Sequence, residues 1–324
     1  MQDEVKVRPA RTTEIATLAR LVETRLPDMM SGAGWHDNVE SRLASLVPDQ
    51  ALLVATRGAR LAGMIALDID NGRIIACYLD PENASPDTPK RLFQNIEKVA
   101  LIFGIRVLRG VARRRVTGFT KSLGYEIDSD AGNPNPPETI EIRKNLLAQA
   151  DDELKGILES CDRLGIPENY GTVHRMPLVR NASELVEAGR DIFGRDQRLM
   201  PAAADAWARM KVAAANAGID LQLVSAYRSQ AYQTNILKKK LDEGQSLKRI
   251  LRVSAPPGYS EHHSGRAIDL TTHGCKPLEE DFSKTRAYNW LRANARFFGF
   301  RESYPRNNRH QLAWEPWHWY YFKT

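Results

Sequence analysis

The chain has little cysteine: Cys77, Cys161 and Cys275 are all it contains, an odd number at wide spacing. That excludes a disulfide framework and fits a reducing compartment. Long hydrophobic runs are missing too. The longest, Val99 to Ile105, is far too short to cross a bilayer, so no membrane partner is expected. The first residues, Met1-Gln2-Asp3-Glu4-Val5-Lys6-Val7-Arg8, hold neither an apolar core segment nor a small-residue cleavage site. A secretory signal is therefore not expected, and a cytoplasmic location is. Internal repeats and low-complexity tracts are absent, which argues against a solenoid or a disordered chain.

Charge of one sign is only mildly in excess. The formal net charge is +6. The densest basic cluster, Arg106, Arg109, Arg113, Arg114 and Arg115, comes without aromatic interleaving or a nucleic-acid-binding motif. It reads as a solvated strand end and loop, with no nucleic-acid partner. Nothing in the sequence fixes an oligomeric state.

What is present is material for two domains, the expectation for 324 residues. The boundaries read as 1–146, a helical connection over 147–195, and 196–324. In the first part strands and helices alternate. Strands are expected at Val5–Arg8, Ala51–Thr56, Leu61–Ile69, Arg73–Leu79, Ile105–Ala112 and Thr139–Ile142, with helices at Thr13–Arg25, Lys90–Phe103 and Phe119–Tyr125. This order resembles the GNAT acetyltransferase fold. The resemblance rests on Val7-Arg8-Pro9-Ala10, the Leu53–Ile69 hairpin, Phe119–Tyr125 and Glu141–Leu146. A GNAT enzyme seats the acetyl-CoA pyrophosphate on a Gly-rich turn at a helix start, where bare N–H groups reach it. Here that turn is Asn83-Ala84-Ser85-Pro86-Asp87-Thr88-Pro89-Lys90-Arg91: no glycine, two prolines and an aspartate. The domain is therefore expected to be non-catalytic.

Beyond a helix at Asp151–Leu164 and a loop at Gly165–Gly171, the last part shows an Ala-rich helix, Met200–Ala217, with Ala203, Ala206, Trp207, Met210 and Ala214 on one face. Strands are expected at Leu221–Ser225, Arg266–Leu270 and within Trp314–Tyr321, and helices at Gln230–Glu243 and Tyr288–Phe298. Two segments carry chemistry: Ser260-Glu261-His262-His263-Ser264-Gly265-Arg266-Ala267-Ile268-Asp269 and Glu315-Pro316-Trp317-His318-Trp319. Two imidazoles, a mid-strand carboxylate and a spare glutamate are what a hydrolytic zinc site needs: three protein ligands and an open position for water. The spare glutamate can take the water proton. An unpaired carboxylate among apolar neighbours is costly, and a metal removes that cost. His262 and His263 are rival ligands, and spacing does not choose between them.

The 196–324 stretch resembles the VanY-type D-alanyl-D-alanine carboxypeptidases of the LAS metallopeptidase superfamily. Their signature is Ser-x-His-x-x-Gly-x-Ala-x-Asp followed by Glu-x-x-His, matched by Ser260, His262, Gly265, Ala267, Asp269, Glu315 and His318. Ser225-Ala226-Tyr227-Arg228-Ser229 with Gln233 resembles the upstream motif. The resemblance implies an α+β chain whose C-terminal antiparallel sheet and helices hold zinc on His262, Asp269 and His318, with Glu315 as catalytic base. It implies Arg228 as oxyanion donor, Ser260 and Gln233 as donors to the substrate carboxylate, and Tyr227 in the pocket wall. Trp314, Trp317 and Trp319 are expected in the core or the pocket wall. Substrates would be peptidoglycan stem peptides or muropeptides ending in D-alanine. An L,D-carboxypeptidase of muropeptide recycling is the favoured reading, since trimming precursors in the cell would deplete substrate for cross-linking. The alternatives are a D,D-carboxypeptidase on precursors, an acetyltransferase, or a non-catalytic binding protein.

Overall fold

The structure is a computed structural model that describes residues 4–25, 38–127 and 138–323. The chain divides into two compact units, Met1–Ala150 and Asp151–Thr324. The stretch expected as a connection lies almost wholly in the second of them.

The first unit is built on a seven-stranded mixed sheet in the order β1-β2-β3-β4-β5-β7-β6. Its elements are β1 (Lys6–Pro9), α1 (Ile15–Arg25), α2 (Val39–Leu46), β2 (Leu52–Arg57), β3 (Arg60–Asp68), β4 (Arg73–Leu79), α3 (Thr88–Ile102), β5 (Val107–Arg113), α4 (Thr117–Ser122), β6 (Glu126–Ile127) and β7 (Thr139–Asn145). β2, β3 and β4 form an antiparallel meander, β4 and β5 run parallel across the α3 crossover, and β7 returns antiparallel to β5. This is the GNAT-like arrangement that the order of elements implied. α2 was not expected. Asn38 caps it through Ser41 N–H, and Val39, Leu43 and Leu46 face inward. Its signal is short and sits among polar residues.

The second unit runs through α5 (Asp152–Arg163), α6 (Tyr170–Val173), β8 (Val186–Arg190), β9 (Asp196–Leu199), α7 (Pro201–Asn216), β10 (Gln222–Ser225), α8 (Gln230–Asp242), α9 (Leu247–Val253), β11 (Ala267–Thr271), α10 (Arg286–Asn294), β12 (Phe300–Glu302) and β13 (His318–Tyr321). Its main sheet is antiparallel, in the order β10-β11-β13-β12. One face packs on α7, whose Ala203, Ala206, Trp207, Met210 and Ala214 meet Leu223, Ile268, Leu270, Phe300 and Trp319. The small alanines let the helix approach closely, and each large apolar side chain fully buried here contributes about 1.5–3 kcal/mol. α6 replaces the expected Gly165–Gly171 loop from Tyr170 onward. α10 stops at Asn294, short of the expected Phe298, because a 3-10 turn at Ala295–Phe298 and left-handed Gly299 redirect the chain into β12.

Gly258 shows how tightly this unit closes around its site. Its φ is +85°, and a Cβ there would lie 2.3 Å from Ile157 Cγ2 on α5. Left-handed strain and overpacking add, so Gly258→Ala is expected to destabilise the second unit by about 2–4 kcal/mol. Denaturant unfolding followed by Trp fluorescence checks this; an unchanged midpoint would show that the contact relaxes freely. Among the described residues, no helix is long and apolar enough to cross a membrane.

Candidate active site

The sheet register assembles the site. In the β11–β13 ladder Asp269 stands directly opposite His318, and in the β10–β11 ladder it stands opposite Ser225. A carboxylate and an imidazole 49 residues apart in sequence thus become cross-strand neighbours, with Asp269 Oδ1 2.9 Å from His318 Nδ1. His262 arrives on a 3-10 turn, Glu261–Ser264. Gly265 ends that turn at φ +66°, and a Cβ there would press on Met200 N at 3.0 Å. A glycine is therefore needed where the chain turns into β11.

The structure brings His262, Asp269 and His318 together, each with a ligand atom within 4.8 Å of the others and all three buried. His262 Nδ1–H donates to the Ala226 carbonyl, which leaves Nε2 as a bare acceptor. Nε2 makes no hydrogen bond and lies 3.2 Å from Asp269 Oδ2. Two buried acceptors facing each other need a cation between them. These donors fit a divalent metal, with zinc first among those favouring a His/His/carboxylate set.

Electrostatics ready two of the three donors. Burial pushes the His262 imidazole down to about 4, so it is neutral and ready to ligate. Burial also pushes Asp269 up, but the two histidines outweigh it and hold the carboxylate well below its usual range. For His318, burial is outweighed by hydrogen bonds to Asp269 and Glu261, which raise it to about 10, so a metal held there would have to displace its proton.

His263 is settled by its partners. Its Nδ1–H donates to the Arg228 carbonyl at 2.6 Å, and its Nε2 accepts from Gly258 N–H at 3.1 Å. Both ring nitrogens serve the backbone, so none is left for a metal. The Arg228 N–H in turn donates to the His262 carbonyl. The two adjacent histidines therefore clamp one peptide segment and place the Arg228 side chain beside the site, with Nη2 3.9 Å from Asp269 Oδ2 and Nε unpartnered.

Glu315 is fixed by its own backbone: its N–H donates to the Tyr304 carbonyl, and its carbonyl accepts from His318 N–H. Its Oε2 lies 3.9 Å from His318 Nδ1. Burial raises its carboxyl to about 7, a fitting value for a base at neutral pH. Ser260, two residues before His262, and Gln233 on α8 are both buried. Gln233 Nε2 donates to the Ala255 carbonyl, while Oε1 has no partner. One amide hydrogen at most remains for a substrate carboxylate, so the expected donor role of Gln233 is narrowed. Tyr227 is half-buried, its hydroxyl 3.4 Å from Asn181 Oδ1. Trp319 is in the core, Trp317 packs against it, and Trp314 hydrogen-bonds Glu302 under the Arg306 guanidinium.

Two residues escaped sequence reasoning. Glu261 Oε2 accepts from His318 Nε2–H at 2.9 Å. Such an outer carboxylate fixes a ligand's orientation and raises its basicity. Its signal was its place between Ser260 and His262. Glu261→Ala is expected to weaken zinc binding by about 10–100-fold, with Glu261→Gln affected less. Competition against a chromophoric chelator measures it, and an unchanged affinity would remove Glu261 from the site. Lys240, on α8 two turns beyond Gln233, is half-buried, bonded to Ser254 Oγ at 2.7 Å, and feels both Arg228 and Glu315. No motif marks it.

Buried His–Asp–His donors, a glutamate poised near neutrality and an arginine alongside have the composition of a metallohydrolase centre. The family model of VanY, D-alanyl-D-alanine carboxypeptidase, matches residues 196–324. The putative carboxypeptidase YodJ of Bacillus subtilis (strain 168) is 35% identical over 205 residues, 61% of this chain and 67% of that protein. Among solved structures, the LdcB LD-carboxypeptidase is 32% identical, with 44% of this chain and 69% of that one covered and a TM-score of 0.40. The PaiA N-acetyltransferase of Thermoplasma acidophilum, solved with coenzyme A, is 18% identical, with coverage of 44% and 99% and a TM-score of 0.31. The chain belongs to the VanY-type carboxypeptidase family and carries a GNAT-like unit ahead of the carboxypeptidase part.

Proposed function

We propose that this chain is a zinc-dependent carboxypeptidase that releases C-terminal D-alanine from peptidoglycan stem peptides, with L,D-specificity and a cytosolic role in muropeptide recycling. The observation that carries the hydrolytic reading is the buried His262–Asp269–His318 set, with Glu315 and Arg228 at its edge. Zinc held by those three residues would polarise the scissile carbonyl and acidify a water. Glu315 takes the proton from the attacking water and returns it to the leaving amine. Arg228, clamped by His262 and His263, donates to the oxyanion. The resemblance would have Ser260 and Gln233 donate to the substrate's free carboxylate and Tyr227 line the pocket; the burial of Ser260 two residues before His262 supports its part.

The L,D reading gives Lys240 a role. The penultimate residue of a D-Ala-D-Ala terminus offers only a methyl group, whereas a stem tetrapeptide presents a long side chain with a polar end. In that reading the half-buried Lys240 ammonium, which is bonded to Ser254 Oγ, would be the group to meet a carboxylate on that side chain. The family's description, D-alanyl-D-alanine carboxypeptidase, favours the second reading, a D,D-enzyme. Mass spectrometry of matched tetrapeptide and pentapeptide muropeptides separates the two. Loss of one D-alanine from the tetrapeptide supports L,D-specificity. Loss from the pentapeptide alone overturns it in favour of the D,D reading.

A further inference from the structure

Glu315 sits near the end of a long loop. Residues 303–317 join β12 to β13 without helix or strand. A loop of that length has to be tied down before it can hold a side chain in one place. Asn308 organises its middle from within, accepting from the His310 and Leu312 N–H groups and donating to the Pro305 and Leu312 carbonyls. Bonds inside the loop do not fix where it lies against the rest of the unit. That takes ties to other elements. One is at Ala313, whose N–H donates to the Arg252 carbonyl on α9. Another is at His310.

His310 is joined to His174, at the C-terminal end of α6, by two reciprocal hydrogen bonds. His174 Nδ1 lies 2.7 Å from the His310 carbonyl, and His310 Nδ1 lies 3.0 Å from the His174 carbonyl. A carbonyl only accepts, so each Nδ1 carries the hydrogen. The residue after each histidine is left-handed: Arg175 at φ +51° and Gln311 at φ +55°. Neither side chain favours that conformation, and it persists only where the surroundings impose it. The paired bonds are such an imposition, since each segment turns sharply just after offering its carbonyl.

What the pair holds in place is one side of the site. The buried Tyr304 ring packs against both His318 and His310, with centroids 4.9 Å and 5.8 Å away. The Tyr304 carbonyl accepts from Glu315 N–H. On the α6 side, the Tyr170 ring packs on His174 at 4.3 Å and meets Tyr259, the residue before Ser260, at 5.0 Å. We propose that His174 and His310 are positioning residues for the catalytic base, pinning loop 303–317 to α6 so that Tyr304 holds the Glu315 backbone beside His318. The inference rests on the hydrolytic reading in which Glu315 is the base. Misplacing a reacting group by about 1 Å can cost about a hundredfold in rate, so a tie remote from the chemistry can still govern it.

Kinetics and hydrogen exchange on the full zinc-loaded chain test it. His174→Ala is expected to lower kcat on a D-alanine-terminated stem peptide by about 10–100-fold, with KM and zinc content near the wild-type level. His174→Asn, whose amide nitrogen can stand where Nδ1 stood, should recover most of the loss. In a Glu315→Gln background His174→Ala should cost almost nothing further, since no base is left to position. Amide exchange over 303–317 should quicken in His174→Ala and stay unchanged over α7, a readout that needs no turnover. Unaltered exchange over the loop overturns the proposal. So does a wild-type kcat in His174→Ala, or an equal loss with and without Glu315. A zinc-loaded wild type that frees no D-alanine sinks the carboxypeptidase reading instead, and the exchange result then decides the pin on its own.

Discussion

Glu315→Gln is expected to lower kcat on a D-alanine-terminated stem peptide by about 10²–10⁴-fold while zinc content stays at the wild-type level. The two halves of that result have separate causes. Glu315 is not one of the three clustered donors, and Gln preserves its volume and its fixed backbone. What the amide loses is the ability to take a proton, which burial has tuned by raising the carboxyl to about 7. His318→Ala should instead lose zinc and turnover together, because His318 is a donor and also the cross-strand partner of Asp269. Metal analysis alongside steady-state kinetics separates the variants. Normal turnover by Glu315→Gln would remove the glutamate from its assigned role.

Arg228→Ala is expected to lower kcat by about 10²–10³-fold, the loss seen when a preorganised oxyanion donor is removed. Preorganisation is visible in the backbone, where the His262 carbonyl and the His263 ring hold the two ends of the Arg228 residue. The unpartnered Nε is an unused donor beside the donor cluster. KM should change far less than kcat, since a developing negative charge exists only in the transition state. A rise in KM with kcat intact would make Arg228 a substrate-binding residue instead.

The sequence made most of the site legible because its chemistry is concentrated in two short segments. His262, Asp269, Glu315 and His318 stand out by type and spacing. What spacing could not supply is pairing. His263 became distinguishable from His262 only once its two nitrogens were found on Arg228 and Gly258. Glu261 and Lys240 act through neighbours brought close by folding, and neither carries a pattern of its own. The fold shows the same division. The Ala-rich α7 was readable, since burial of one face imposes a period on it, and β11 was readable as a short apolar run interrupted by Asp269. The β8–β9 hairpin was not. Its first strand is mostly exposed and lacks apolar alternation, and its turn is organised by Asp191, which accepts from Phe193 N–H, Arg195 N–H and Gln197 Nε2. The three-residue β12 and seven-residue α9 are too short to show a period.

The most direct test of the central claim is D-alanine release from a stem tetrapeptide by the protein as purified, after chelation, and after return of one equivalent of zinc. The account predicts release that disappears with the metal, returns with it, and does not return in His318→Ala. Release that is indifferent to chelation, or a fully zinc-loaded protein that frees no D-alanine from any stem peptide, would contradict it.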